Sequence, residues 1–307
     1  MRLPLMLLAA VPGLWLAAAM PARCAEATIC AEAERQYELI KREVSGIQLN
    51  TTLFSAIDKG CEPLTRALLA AGAPIDAHDR IGNTPLSHAA RSGHLALLDV
   101  LLEKGAPIDA RNYLGATALY LAAENDRLAV VRRLLEKGAD PKLTGRTEVA
   151  PLAAAAFKGN DRIVEVLLAH GVDPNALDKT GKTAIVYAAA LGFTPVVRRL
   201  LDAGVDVNAR YGNDLTVLMW AAGYAEGAGA LDAESVVGLV LDRGAQIDVV
   251  DNRGRTALMT AAELEHAGIV DLLLRRGANR ALKDKDGKTA ADLTALTAIR
   301  EKLSATQ

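Results

Sequence analysis

Residues Gly82 to Leu114 read GNTPLSHAARSGHLALLDVLLEKGAPIDARNYL, and the chain repeats this unit. A step of 33 residues from Gly82 lands on Gly115, then on Glu148, Gly181 and Asp214; a step of 40 reaches Gly254, and one more of 33 reaches Gly287. One step backward reaches Leu49, where Thr51, Leu53, Ala56, Gly60, Leu68, Leu69, Gly72 and Ala73 match Thr84, Leu86, Ala89, Gly93, Leu101, Leu102, Gly105 and Ala106. A fixed period of this length marks a repeat architecture.

The chemistry of one unit explains the period. Thr84 suits the cap of a short helix and Pro85 its first turn, where a missing N–H does no harm. Leu86, Ala89 and Ala90 form a small apolar stripe, and Gly93 ends the helix. Leu95, Leu98, Leu101 and Leu102 mark a second helix that stops at Lys104-Gly105. Ala106 to Tyr113 is polar and reads as an extended turn into the next unit. Neither helix can bury its leucines alone, so units must stack. The pattern resembles the ankyrin repeat, whose motif is G-x-T-P-L-x-x-A-A…G…V-x-x-L-L-x-x-G-A. The resemblance covers roughly residues 49 to 303. One departure recurs: the family's histidine after T-P-L is replaced by Ser87, Tyr120, Ala153, Val186, Met219 and Met259. The resemblance implies an all-α solenoid of helix-turn-helix units with hairpin fingers, first helices lining a concave groove, and a binding protein without catalytic chemistry.

The start of the chain has a different character. Arg2 is followed by an apolar run from Leu3 to Met20, interrupted by Pro12-Gly13, and then by small residues. Residues 1–25 read as a cleaved secretory signal, with cleavage after Ala25 or Ala27; an uncleaved anchor and a lipoprotein at Cys24 are the alternatives. Removing Arg2 and Arg23 leaves 33 basic and 37 acidic residues, a mature net charge of −4. That balance argues against general nucleic-acid binding, which needs a concentrated positive face. Only 4% of residues are aromatic, which fits close helix stacking and no large globular core. No membrane association is expected after signal cleavage, and a monomer is expected.

Residues 26–48 read as an N-terminal capping helix, with Ile29, Ala33, Tyr37, Ile40 and Val44 at helical spacing; a disordered arm is the alternative. Once the signal leaves, Cys30 and Cys61 remain in an oxidising compartment. An antiparallel packing of the cap on the first repeat brings both to one end, where they form a disulfide or stay as two unrelated thiols. The repeat domain, 49–307, divides into 49–81, 82–114, 115–147, 148–180, 181–213, 214–253, 254–286 and 287–307, about eight units. The fourth starts on Glu148 in place of glycine, so a distorted entry turn is expected. The sixth carries seven extra residues around Gly223 to Ala233, expected to break the turn between its helices.

Catalytic patterns are missing from the sequence. No nucleophile elbow, phosphate-cradling loop or H-E-x-x-H motif occurs, and His78, His88, His94, His170 and His266 show no metal-ligand spacing. The histidines read as structural, and neither cofactor nor metal is expected. The residues that break the repeat on the groove side are the candidates for binding. In the fingers these are Arg80, Tyr113, Leu114, Arg146, Lys179, Tyr211, Asn252, Arg253 and Lys285. At the ends of first helices they are Arg91, Glu124, Asn125, Phe157, Lys158, Leu191 and Tyr224. Aromatic and arginine side chains are the usual anchors of protein interfaces. Tyr187 and Trp220 lie within first helices and read as packing residues. The expected function is non-enzymatic binding of a partner protein outside the cytoplasm, in the bacterial periplasm or after secretion. Resemblance to exported bacterial ankyrin proteins implies assistance to a periplasmic enzyme such as catalase; neutralisation of a toxin such as a phospholipase, or an effector role on host proteins, are the alternatives.

Overall fold

A computed structural model of the protein describes residues 22–41, 45–223 and 230–304. Seventeen helices lie among the described residues, with no strand beyond an isolated bridge between Tyr211 and Leu215. Most of the signal segment, the centre of the sixth-unit insertion and Tyr224 lie outside them.

After α1 (Ala22–Ile40) the helices come in eight pairs. The first helices are α2 (Gly46–Asp58), α4 (Pro85–Ser92), α6 (Ala118–Glu124), α8 (Pro151–Lys158), α10 (Ala184–Ala190), α12 (Val217–Ala222), α14 (Ala257–Glu263) and α16 (Ala290–Leu293). Their partners are α3 (Glu62–Ala70), α5 (Leu95–Glu103), α7 (Leu128–Glu136), α9 (Asp161–Ala169), α11 (Thr194–Asp202), α13 (Ala230–Asp242), α15 (Ala267–Arg275) and α17 (Thr297–Ser304). First helices pack on first helices and second on second, which makes a two-layer, all-α solenoid.

Local chemistry sets each pair. The Thr84 hydroxyl accepts from the Ser87 N–H, Pro85 opens α4, and Gly93 closes it in the left-handed region at φ 87°. Thr117, Thr216 and Thr256 cap α6, α12 and α14 in the same way. The Ala-Ala pairs 89–90, 122–123, 155–156, 188–189, 221–222 and 261–262 have no exposed surface at all, and neighbouring first helices pack directly on one another there. Leu98, Leu101, Leu134, Ile163, Leu167 and Leu200 fill the second layer, likewise without exposed surface.

Three local features differ from the sequence reading. Helix α2 starts at Gly46, three residues before the repeat boundary at 49, because Ser45 and Gln48 form a reciprocal capping box. Thr51, aligned with the capping Thr84, therefore sits inside the helix and donates to the Gln48 carbonyl at 3.0 Å. At Glu148 the entry turn is kept. The residue takes φ 61°, and its N–H donates to Gly145 O at 2.9 Å, as that of Gly115 does to Asn112 O at 2.8 Å. Holding a side chain in glycine's conformation costs roughly 1–2 kcal/mol. In the sixth unit the insertion also lengthens the helix: α13 has 13 residues where α11 and α15 have 9, and Ala233, on the added turn, is fully buried.

Cys30 of α1 is bonded to Cys61, which precedes α3, with Cα atoms 5.2 Å apart. With Tyr37 buried and Cys30 and Ala33 against the core, α1 packs on both helices of the first pair.

Leu167 is enclosed in α9, with neighbours in adjacent pairs only. Leu167→Ala is expected to cost about 2–5 kcal/mol, and hydrogen exchange should show protection lost first in the fourth pair and its two neighbours. Equal loss from residue 49 to 303 contradicts this local coupling.

Candidate functional site

The groove side of the solenoid is built from fingers and the ends of first helices. Five of the fingers are fixed at the base by one side chain three residues before the next unit's first position. Asp79 Oδ1 accepts from the N–H groups of Ile81 (2.9 Å) and Asn83 (2.8 Å). Asn112 does the same for Leu114 and Ala116, Asp178 for Thr180 and Lys182, Asp251 for Arg253 and Arg255, and Asp284 for Asp286 and Lys288. This is an Asx turn repeated along the array. Neighbouring fingers are then tied to each other: Tyr113 N–H donates to Ile81 O at 3.0 Å, Arg146 to Leu114 O at 2.7 Å, Lys179 to Thr147 O at 3.1 Å, and Lys285 to Arg253 O at 3.0 Å. The tips carrying Arg80, Tyr113, Leu114, Arg146 and Lys179 thus form one row, and those carrying Arg253 and Lys285 are joined in the same way.

At four places units are joined by the residue preceding a second helix. His94 Nε2–H donates to Asp58 O at 3.1 Å, Arg127 Nε–H to Arg91 O at 2.9 Å, Asn160 Nδ2–H to Ala123 O at 2.7 Å and His266 Nδ1–H to Ala222 O at 2.8 Å. His88 is buried between Asp58 (2.9 Å from Nδ1) and Asp79 (3.0 Å from Nε2), and its ring stacks obliquely on Phe54 at 4.7 Å. His88, His94 and His266 therefore join one unit to the next. Among the described residues no group of histidine, cysteine and carboxylate side chains could hold a metal ion.

Exposed apolar surface gathers at one end of the row. Tyr113 is 66% exposed, Leu114 59% and Ile81 49%, with Ile47 of α2 beside them at 79%. Ile47, Ile81 and Leu114 wall two adjoining clefts, and Tyr113 is tied to Ile81 through its backbone. One, of about 710 Å³, lies between α2 and the first finger and is lined by Ile47, Phe54, His78, Arg80 and Ile81. The other, of about 420 Å³, is lined by Ile81, Arg91, Leu114, Tyr120, Glu124 and Arg146. Burial, and then Glu124, push the Tyr120 phenol up.

A second cluster lies further along. Phe157, 46% exposed, meets Tyr187 edge to face at 5.7 Å, with the Lys158 ammonium 5.5 Å from its ring. Lys182 sits 5.8 Å from the Tyr187 ring and 5.5 Å from that of Trp220. Tyr187 donates its hydroxyl to Asp178, and burial together with that carboxylate pushes its pKa up to about 12. Tyr187 and Trp220 are half-buried packing residues, as the sequence suggested.

Tyr211 corrects the sequence reading. It is 7% exposed and belongs to the core, so it offers no groove surface. Counted from Asp214, it aligns with Asp178 and not with Lys179: it occupies the finger base, and its backbone pairs with Leu215. Counting back three residues from each unit's first position exposes this alignment, and it also picks out Asp79, Asn112, Asp178, Asp251 and Asp284, the anchors that the sequence reading passed over. Ile81 and Ile47 were missed too, since isoleucine carries no chemical signature of a site.

Two comparisons bear on the family. A family model of ankyrin repeats in three copies matches residues 53–145 and 152–233, and one of ankyrin repeats in many copies matches residues 240–293. The chain belongs to the ankyrin-repeat family. Among curated proteins none matches the chain. Ankyrin repeats in general mediate protein–protein interaction, and ankyrin domains are typically non-catalytic. In this ankyrin-repeat protein the finger row and first-helix ends are the surface left over once the two layers have buried their leucines.

The fingers have a pH limit. Burial raises Asp79, but hydrogen bonds from the backbone of Asn83 and Ile81, and then from the His88 and Asn83 side chains, outweigh it and hold its carboxyl below 3.8. The folded state therefore favours the ionised form. Its contribution is complete above pH 3.8 and is lost as pH falls through the lower folded value. Asp79→Asn keeps an acceptor, as Asn112 does naturally, but removes the charge facing His88. Denaturant titration should show it less stable at pH 7 by on the order of 1–2 kcal/mol, with the gap closing below pH 3.8. A gap independent of pH contradicts the assignment.

Proposed function

We propose that this ankyrin-repeat protein is an exported, non-enzymatic binding module that holds a partner protein in its concave groove. The observation that carries the reading is the exposed row of Ile81, Tyr113 and Leu114 beside two clefts, on backbone fixed by hydrogen bonds between fingers. Soluble proteins keep large apolar side chains in contiguous exposed patches chiefly where something else covers them. Phe157 with Lys158, and the basic tips Arg146, Lys179 and Arg253, extend the face along the array.

Export is supported by the apolar Leu3 to Met20 run and by the Cys30–Cys61 bridge, since disulfides persist in oxidising compartments. Protein purified from the envelope should begin at Glu26 or Thr28, and Cys30 and Cys61 should resist thiol labelling until reduced. An intact Met1, or labelling of both cysteines in native material, refutes this part. The resemblance to exported bacterial ankyrin proteins makes a periplasmic enzyme such as catalase the first partner to test.

Titration of the captured partner decides the face. Tyr113→Ala and Phe157→Ala should each weaken binding by at least about 1 kcal/mol without unfolding the chain. Arg146→Ala should mainly slow association and flatten its salt dependence. Tyr211→Ala should instead lower stability. Arg132 on α7 serves as the convex control; Glu165 does not, because it pairs with Arg199 at 3.2 Å. Loss of binding on Arg132→Ala with none on Tyr113→Ala places the partner on the other face.

A further inference from the structure

We infer that the first three units of the groove take an extended, acidic protein segment that places two apolar side chains on one face, four residues apart, one in each cleft. The inference deepens the groove reading and rests on it.

The two clefts share Ile81 as their common wall. The first is mainly apolar, floored by Phe54 and edged by Ile47. The second lies one to two units along, over α6, with Leu114 above and Tyr120 below. Packed helices lie 8–10 Å apart, so the clefts are separated by roughly 10–20 Å. An extended chain rises about 3.3 Å per residue and shows every second side chain to the same face. A spacing of four residues, roughly 13 Å, falls well inside that range on one face, six, roughly 20 Å, reaches only its upper end, and three or five turn the second side chain away.

Charge selects the rest of the segment. Arg80 stands at the first cleft, and Arg91 and Arg146 at the second. Arg80 and Arg146 have no ion pair among the described residues, and Arg91 is only 3.4 Å from Asp58. The acidic groups facing the clefts are Asp79 and Glu124. Asp79 is occupied by two backbone N–H groups, the Asn83 amide and His88. That leaves Glu124 against three guanidinium groups. On the second-helix side several charges close on each other between units instead, Arg133 on Asp99 at 2.7 Å, Arg243 on Asp202 at 2.8 Å and Arg276 on Asp242 at 2.7 Å. At the two clefts, then, guanidinium groups outnumber the carboxylates left to pair with them. Carboxylates between and around two apolar anchors match that arrangement.

The test uses the full mature chain and terminally blocked fluorescent peptides. The probe is Asp-Leu-Asp-Ser-Asp-Leu-Asp. Its comparators are the same composition with adjacent leucines, the same spacing with lysine in place of aspartate, and an oligothymidylate. The probe should bind at least tenfold tighter than each comparator. Ile81→Ala, Leu114→Ala and Arg146→Ala should each weaken it severalfold, with Arg132→Ala neutral and the melting temperature unchanged in all four. Binding that ignores spacing, a preference for the lysine peptide, or tighter binding of the oligonucleotide overturns the inference. If no peptide binds while Tyr113→Ala still releases the captured protein partner, the segment chemistry is wrong and the groove reading stands. If Tyr113→Ala releases nothing either, both fail.

Discussion

Everything in this protein depends on the contact between one helix pair and the next. A nine-residue helix such as α5 or α7 is too short to be stable by itself in water and buries its leucines only against neighbours. The paired alanines of the first helices permit the approach, the leucines and valines of the second helices fill the outer layer, and His94, Arg127, Asn160 and His266, each just before a second helix, reach back to a carbonyl of the preceding unit. Each term is small and local. Their repetition produces a surface that runs the length of the chain.

The groove inherits its precision from the backbone. Asx turns set each finger, and bonds between fingers set their row, so the exposed tips are held by groups that play no part in contact with a partner. Such a surface loses little conformational freedom on binding, which favours affinity per unit area. The two fingers without an Asx anchor, based on Gly145 and Tyr211, find other solutions: left-handed Glu148 in one, and a backbone bridge with a buried phenol ring in the other.

Charge is divided between the two sides of the array. On the second helices, arginines and aspartates of successive units neutralise each other, tying units together where no partner is proposed. Each exposed pair contributes little by itself. On the fingers, the cations stand beside apolar side chains and clefts.

Sequence by itself determined the fold, because the signals are local: a 33-residue period, threonine caps, alanine pairs and glycines that end helices each act within a few residues. It also located the row formed by Arg80, Tyr113, Leu114 and Arg146, and the pairing of Cys30 with Cys61 as one of two outcomes. Position within the unit was harder to read where the unit is irregular. Tyr211 looks like a tip residue until the finger is anchored at its base, and then it is core. The insertion after Gly223 looks like loop, yet part of it extends α13. Helix α2 begins early because Ser45 and Gln48 cap it ahead of the repeat boundary. Only the tertiary structure decided which apolar residues stay exposed, which cations go unpaired and that Ile81 separates two clefts. Those properties depend on side chains tens of residues apart meeting across stacked units, and no local pattern encodes that meeting.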